Sequence, residues 1–261
     1  MTPARTIDFH THPMFPLDQV GKILDFMDKY GLEKIVALGL PREEDGNERV
    51  FKLRRLAPSR IIGGPFVDPR DEQAFDELKR FHDEGCRILK LFPNYGYYPD
   101  DPELLGFFEK AATMGFGILS HCGWLGGDGV SSTKYARPGR FEELFRRFPD
   151  TLFVMAHMGG IDGFVEGIMY TTRTKNVYLD TTPGQSHWVF AHAPEFVRGM
   201  PPERLLLGTD GILPPWEDGT DGSGEYKIQD QMLEKIGWAH FSEDVFYNNA
   251  ARVIEQYKLI P

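Results

Sequence analysis

The sequence is poor in cysteine and has no long apolar run, and each absence excludes a class of protein. Its two cysteines, Cys86 and Cys122, are too few for a disulfide framework. Both lie in apolar stretches, so we predict that they are reduced core residues. No apolar run approaches the roughly 18 residues of a membrane-spanning helix, and the N-terminus does not resemble a signal peptide. We therefore expect a cytoplasmic protein with no membrane partner.

Basic residues are also scarce relative to acidic ones. The chain has 29 Lys and Arg against 39 Asp and Glu, a formal net charge of -10, and no basic cluster. This charge pattern argues against nucleic acid as a partner. With 41% hydrophobic and 26% charged residues in 261, the composition is that of a globular protein with a sizeable core. A homo-oligomer is compatible with it.

Apolar strand-like runs alternate regularly with amphipathic helical runs along the whole chain. The strand-like runs cover residues 6–12, 34–41, 61–67, 86–92, 116–122, 151–157, 177–182 and 204–210. Continuous apolar runs of this length are typical of parallel strands that are buried on both faces. Eight such units in 261 residues predict an α/β fold, a (β/α)8 TIM barrel in a single domain over residues 1–261. A doubly wound open sheet is the alternative.

Helix start and stop signals support this alternation. Apolar residues at helical spacing predict a helix over 20–30 that Gly31 ends. Asp101 is a suitable N-cap, Pro102 suits a first turn, and Gly115 ends the helix that they begin. Further helices are predicted over 137–148 and 244–257, and a long loop is predicted over 211–224.

The first predicted strand carries two histidines in the stretch TIDFHTHP. Because successive strand side chains point to opposite faces, His10 and His12 should share one face with Asp8. Two imidazoles on one face can hold a metal ion. They can equally be two hydrogen-bonded histidines on a sheet, so the motif alone does not decide.

Other polar residues stand at the ends of later strands. His121 ends the fifth predicted strand, His157 the sixth and Asp210 the eighth. In a barrel the carboxyl ends of all the strands meet at one mouth, where catalytic residues gather. Since imidazole and carboxylate together suit zinc and similar ions, these side chains with His10 and His12 predict a metal centre.

Several segments resemble the amidohydrolase superfamily, and most of all its branch called amidohydrolase family 2, the predicted metal-dependent hydrolases of the TIM-barrel fold. They occur in the family's order and span almost the whole chain. They are IDFHTHP, DDPELLGFFEKAATMGFGILSHCG, FEELFRRFPDTLFVMAHMGG, LLLGTDGILPP and FYNNAARVI.

The resemblance implies a role for each of these residues. His10, His12, His121 and Asp210 would hold one divalent metal, with zinc as the expected ion and manganese as the alternative. Asp210 would also act as the general base that takes a proton from the attacking water. His157 would act as a catalytic residue beside that water or the substrate oxygen.

Two further residues stay open between several roles. Lys90, near the end of the fourth predicted strand, matches the position of a carboxylated lysine that bridges two metals in binuclear members of the superfamily. It can also pair with a substrate carboxylate, or reach an internal carboxylate such as Asp8. Asp180, which ends the seventh predicted strand, can orient a ligand histidine, contact substrate or serve only the barrel.

The loops after the fourth and fifth predicted strands should overhang the mouth. They carry tyrosines and a tryptophan, and we assign substrate binding to Lys90, Tyr95 and Trp124. Positive charge near Trp124 favours a small organic substrate that can be carboxylated. The basic residues are Lys134, Arg137 and Arg140.

The leading hypothesis is a metal-dependent hydrolase that cleaves an amide, lactone or ester-like bond. The alternative within the same branch is a lyase that removes CO2 from an aromatic or unsaturated carboxylic acid. A barrel that has lost activity and only binds a ligand is a third hypothesis, and the complete set of polar residues at the strand ends argues against it.

Overall fold

A computed structural model describes residues 5–41, 43, 45–125, 131–212 and 223–261. The strands in these residues are β1 (Thr6–His12), β2 (Leu32–Leu38), β3 (Ile61–Gly64), β4 (Ile88–Leu91), β5 (Gly117–Ser120), β6 (Phe153–Met155), β7 (Val177–Asp180), β8 (Leu205–Leu206) and β9 (Gly211–Ile212). The α-helices are α1 (Lys22–Tyr30), α2 (Gly46–Leu56), α3 (Ala74–Asp83), α4 (Leu105–Thr113), α5 (Glu142–Arg147), α6 (Phe164–Arg173), α7 (Gln185–His192), α8 (Pro194–Arg198), α9 (Gly224–Lys235) and α10 (Asn249–Gln256). No helix in these described ranges is long and apolar enough to cross a bilayer.

All strand pairs are parallel, and they form two ladders that meet at two seams. One ladder has the order β3–β2–β1–β9 and the other β4–β5–β6–β7–β8. At the first seam Lys90 N donates to Pro65 O at 2.9 Å. At the second seam Phe9 N donates to Leu207 O at 2.8 Å. These bonds join the ladders into one ring, and the predicted (β/α)8 barrel is confirmed.

Each predicted strand is present, but most end earlier than the apolar runs indicated. The run 151–157 contains only the three residues of β6, and the run 204–210 only the two of β8. The residues that follow these strands are mostly buried without continuing the ladder. Apolar content indicates burial rather than hydrogen-bonded pairing, and this is why the predicted strands were too long.

A single domain over residues 1–261 stays a prediction.

The helix boundaries follow the residues that signalled them. Gly31, directly after α1, and Gly115, two residues after α4, adopt left-handed φ values of 69° and 78°. Asp101 accepts a hydrogen bond from Glu103 N at 3.0 Å and caps the turn that leads into α4. The last predicted helix begins as a π-helical turn, Asp244–Asn248, before α10. The predicted loop 211–224 falls mostly on residues 213–222, which lie outside the described residues.

The core has an inner and an outer apolar layer. Alternate strand residues such as Val36, Leu119 and Val154 pack together inside the barrel. The intervening residues pack outward against the helices, as Ile35 and Phe153 do. Both free cysteines are buried, in agreement with the prediction. A barrel filled in this way is a packed core, and its catalytic groups lie at the carboxyl ends of the strands.

A β-bulge in β1 corrects the predicted grouping of its side chains. Asp8 pairs with Ile35 but Thr11 with Ala37, so three steps along β1 match two along β2. The extra residue lets both Phe9 and His10 face inward. Strict alternation predicted that Asp8 shares the face of the two histidines. This prediction is wrong, because the bulge turns Asp8 to the other face. Bulges re-aim side chains in this way beside functional sites.

A tight left-handed turn follows β6 and contains His157. The four residues His157, Met158, Gly159 and Gly160 have φ values of 56°, 58°, 83° and 83°. At Gly160 a Cβ atom would lie 2.4 Å from the backbone nitrogen of Gly123. Only glycine fits where these two loops approach so closely.

Replacing Gly160 by alanine should therefore destabilise the barrel mouth. We expect Gly160→Ala to lower the free energy of unfolding by about 3 kcal/mol, from left-handed strain and overpacking together. Gly115→Ala is the matched control, because Gly115 has a φ of 78° and open space around its Cβ position. It should cost only about 1 kcal/mol. Equal losses for the two variants in urea unfolding would contradict the proposed clash.

Candidate metal centre

The structure brings His10, His12 and Asp210 together at the barrel mouth. One possible ligand atom from each lies within 4.8 Å of the other two. Oδ1 of Asp210 is 3.3 Å from Nε2 of His10 and 3.3 Å from Nε2 of His12. Both histidines are buried, whereas the Asp210 side chain is 40% exposed. The cluster is therefore anchored in the barrel and open on one side.

Hydrogen bonds to the other ring nitrogens hold the two imidazoles in place. Nδ1 of His10 lies 2.8 Å from Oδ2 of Asp180 and 2.9 Å from the Thr182 hydroxyl. Nδ1 of His12 lies 3.0 Å from the carbonyl oxygen of Leu38. Acceptors at Nδ1 keep the proton there and leave Nε2 of each ring as a lone-pair donor towards the centre.

His121 and His157 lie beside this cluster. Their rings are 4.6 Å apart, and the ring of His157 is 5.7 Å from that of His10. Nδ1 of His157 is 3.2 Å from the carbonyl oxygen of Pro183. His121 stacks on Phe92, with ring centroids 5.4 Å apart. It is not in the tight group of three potential ligands.

The surroundings of the Nε2 atom of His121 indicate whether the site fits a metal. It is buried and has no hydrogen-bond partner among the described residues. A buried polar atom normally has a partner, and leaving it without one costs free energy. A fourth bond from His121 to an ion would satisfy this atom, so the donor set of three imidazoles and one carboxylate fits a divalent metal.

Electrostatics favour the protonation states that a cation requires. Burial, with the charge of Lys90 second, lowers the pKa of His10 to about 3. Burial and His157 lower the pKa of His121 well below its usual value. Burial alone would raise the pKa of Asp210, but the hydrogen bond with His12 and the nearby imidazoles hold it well below normal. Neutral His10 and His121 beside an ionised carboxylate are the states that bind metal.

Lys90 lies underneath the cluster rather than in the open mouth. Its side chain is fully buried, and Nζ is 3.0 Å from Nε2 of His10. Burial lowers the pKa of its amine to about 8, against the opposing pull of Asp210 and Asp180. Asp8 is not its partner in this structure.

The oxygens of Asp8 instead connect β1 to the segment after β8 and to α9. They accept hydrogen bonds from the Thr209 hydroxyl at 2.5 Å, from the Tyr226 hydroxyl at 2.9 Å and from the backbone nitrogen of His10 at 3.1 Å. Asp8 therefore supports the strand that carries the histidines without facing the cluster.

A pocket of about 400 Å³ opens above the cluster. Of the predicted substrate residues Trp124 lines it, whereas Lys90 and Tyr95 are not among its lining residues. Tyr95 is half-buried against Phe92. The lining residues are His121, Trp124, Leu125, His157, Ile161, Pro183, Gly184, Gln185, Trp188 and Asp210.

The predicted basic residues border a neighbouring surface pocket instead. Lys134, Arg137 and Arg140 line it together with Glu166. Arg137 pairs with Glu166 at 2.5 Å, and Arg140 with Asp100 at 3.2 Å. The charges of Arg137 and Arg140 are therefore paired with carboxylates outside the pocket above the cluster.

Two of the site residues have strained backbones. His157 has a φ of 56° and Asp210 a φ of 55°, the left-handed region that non-glycine residues rarely adopt. Such strain is concentrated at functional sites, where surrounding bonds enforce it. The enforcing bonds run from His157 N to Asp180 at 2.8 Å and from Asp210 N to His10 O at 2.9 Å.

Sequence reasoning missed two supporting residues. Thr182 contacts His10, and Gln185 joins the loops around the pocket. Both follow Asp180 in the segment DTTPGQ. Their position directly after a predicted strand end was the available signal, but short polar residues in a loop are too common to single out.

Comparisons with known proteins give the family and the fold of the chain. A family model described as amidohydrolase matches residues 7–255. No curated protein gives a significant sequence match. Similar solved structures include a probable 2-pyrone-4,6-dicarboxylic acid hydrolase of Acinetobacter baumannii with bound citric acid. It has 15% identity, a TM-score of 0.65, and coverage of 99% of this chain and 100% of that one.

Two other solved structures share the fold over similar lengths. A putative 2-pyrone-4,6-dicarboxylic acid hydrolase of Pseudomonas putida has 15% identity and a TM-score of 0.68, covering 98% of both chains. An amidohydrolase of Burkholderia multivorans with bound zinc has 12% identity and a TM-score of 0.68, covering 98% of this chain and 100% of that one.

Asp180 offers a direct test of how the first imidazole is held. Asp180→Asn should keep an oxygen for the backbone nitrogen of His157 but lose the carboxylate that faces His10. We expect Zn²⁺ affinity to fall about 10–100-fold, because such supporting carboxylates orient ligand histidines. The measurement is competition with a chromophoric chelator. Asp83→Asn, an exposed carboxylate on α3, is the control, and equal affinities for the two variants would refute the role.

Proposed function

The chain belongs to the amidohydrolase family of metal-dependent hydrolases, and from this premise we propose that it hydrolyses an amide, lactone or ester-like bond of a small organic molecule. We propose one divalent metal ion as its cofactor, held by His10, His12, His121 and Asp210. Zinc is the expected ion, which the bound zinc of one similar structure supports. Manganese is the alternative.

One observation carries the proposal. Three potential ligands converge within 4.8 Å at the carboxyl ends of the barrel strands, and the floor of a pocket above them includes His121, His157 and Asp210. A substrate in this pocket therefore lies against the candidate metal centre and the two candidate catalytic side chains at once. Convergence of this kind is what hydrolysis at a metal requires.

The protein side chains have separable roles in the proposed reaction. A divalent ion at this centre supplies a Lewis acid that makes water nucleophilic at neutral pH. Asp210 is ionised and faces the pocket, so its free oxygen can accept the proton of the attacking water. Nδ1 of His157 lies 3.2 Å from the carbonyl oxygen of Pro183 and donates to it. The ring also lines the pocket, so Nε2 can accept the proton that Asp210 has taken from water and pass that same proton to the leaving group.

The size of the pocket supports a small-molecule substrate. About 400 Å³ is the range of pockets that hold metabolite-sized ligands. Two of the similar structures are described as 2-pyrone-4,6-dicarboxylic acid hydrolases, which supports a lactone as one candidate bond.

Metal content and turnover of three variants test the assigned roles. His157→Ala should keep its metal and lose about 10²–10⁴ in kcat, because it removes a proton-transfer group and no ligand. His121→Ala should lose metal. Asp210→Asn should lose turnover, and it should keep part of the metal through its remaining carbonyl oxygen. The measurement is metal content together with kcat for each variant. If His157→Ala retains as little metal as His121→Ala, His157 is a metal ligand and the role assigned to it is wrong.

The products distinguish hydrolysis from the decarboxylation considered above. We expect the metal-loaded enzyme to release acid or ammonia from a panel of lactones, esters and amides. It should release no CO2 from phenolic and enoic acids. The His121→Ala variant should show neither activity. Release of CO2 that requires the metal, without hydrolysis of any member of the first panel, would replace the hydrolase with a lyase.

A further inference from the structure

Two exposed tryptophans border the pocket above the metal centre. Trp124 is 56% exposed and Trp188 is 43% exposed. They lie on separate elements, the segment after β5 and helix α7, yet both line the same pocket. Large aromatic side chains left open to solvent around one cavity indicate a surface for binding rather than for folding.

The amide of Gln185 fixes the position of one of these tryptophans. Its oxygen accepts hydrogen bonds from Trp124 N at 3.2 Å and Ile161 N at 3.1 Å. Its nitrogen donates to the carbonyl oxygens of Trp124 and Cys122, both at 3.1 Å. Because Trp188 lies three residues further along α7, this amide ties Trp124 to the helix that carries Trp188. The pocket walls are therefore preorganised.

The remaining lining of the pocket is apolar or neutral, except for the candidate catalytic groups. Leu125, Ile161 and Pro183 complete the walls, and the described lining residues include no lysine or arginine. Lys90 is fully buried below His10. A carboxylate on the substrate, away from the reacting bond, would meet neither lysine nor arginine among these described lining residues and would approach Asp210.

We propose that Trp124 and Trp188 recognise a flat, uncharged aromatic part of the substrate, so that the enzyme selects neutral aromatic amides, esters or lactones over carboxylated analogues. This specificity rests on the proposed hydrolase function. It differs from the dicarboxylic acid substrate in the descriptions of two similar structures. The flat faces of indole rings bind such groups by stacking, and the apolar lining gains from their desolvation.

The test uses three amides that differ only in the group beside the reacting bond. They are benzamide, its 4-carboxylate derivative and isobutyramide. Calorimetry on the zinc-loaded enzyme gives their dissociation constants, and ammonia release gives turnover. We expect benzamide to bind at least ~10-fold more tightly than the other two, a ratio within the range of aromatic contacts and area burial together.

Variants assign this preference to the two rings. Trp124→Ala and Trp188→Ala should each weaken benzamide binding by ~10-fold, and Trp124→Phe should recover most of the loss because it restores a flat ring. Phe75→Ala is the matched control, since Phe75 is 52% exposed on α3 and does not line the pocket. It should leave binding unchanged.

The two measurements separate this proposal from the proposed function. If benzamide does not bind, if the carboxylated amide binds more tightly, or if both alanine variants bind benzamide as the native protein does, the aromatic specificity is wrong. This holds whether or not hydrolysis occurs. If binding depends on both tryptophans but no amide, ester or lactone is hydrolysed, the recognition stands and the hydrolase function fails.

Discussion

The arrangement of the barrel mouth depends on the buried carboxylate of Asp180. It bonds Nδ1 of His10 at 2.8 Å and accepts hydrogen bonds from the backbone nitrogens of His157 at 2.8 Å and Thr182 at 3.1 Å. Burial alone would raise its pKa, but His10 and the other donors bring the pKa below its usual value. A charged group at the end of β7 therefore aligns β1 with the turn after β6. Without it, the His10 ring would lose its carboxylate partner and the backbone of His157 would lose the acceptor of its N–H.

Holding these residues in place imposes a strained backbone on two of them. His157 and Asp210 both have left-handed φ values, which cost of order 1–3 kcal/mol each in such positions. The strain persists because the backbone nitrogens of these residues are hydrogen-bonded to Asp180 and to His10. In addition, Gly160 lets the loop that contains Gly123 approach closely. The two packed apolar layers of the barrel supply the stability that offsets this backbone strain.

The barrel and the convergence of the five polar residues could be predicted because both follow from periodicity and topology. Eight apolar runs indicate eight strands, and parallel strands place their ends together. Local departures from regularity could not be predicted. The extra residue in β1 carries no sequence signal, so Asp8 was wrongly grouped with His10 and His12. The positions of Arg137 and Arg140 likewise depend on acidic partners from other segments, Glu166 and Asp100.

Chemistry and recognition are consequently supported by different parts of the molecule. The candidate ligands sit in or next to strands, where backbone ladders fix them to the core. Trp124 and Trp188 sit on a loop and a helix outside the barrel, and a single amide, that of Gln185, links them. Residues that contact only the substrate can change without disturbing the strand ends. The family therefore indicates a metal-dependent hydrolase, whereas the substrate has to be inferred from the side chains that line the pocket of this chain.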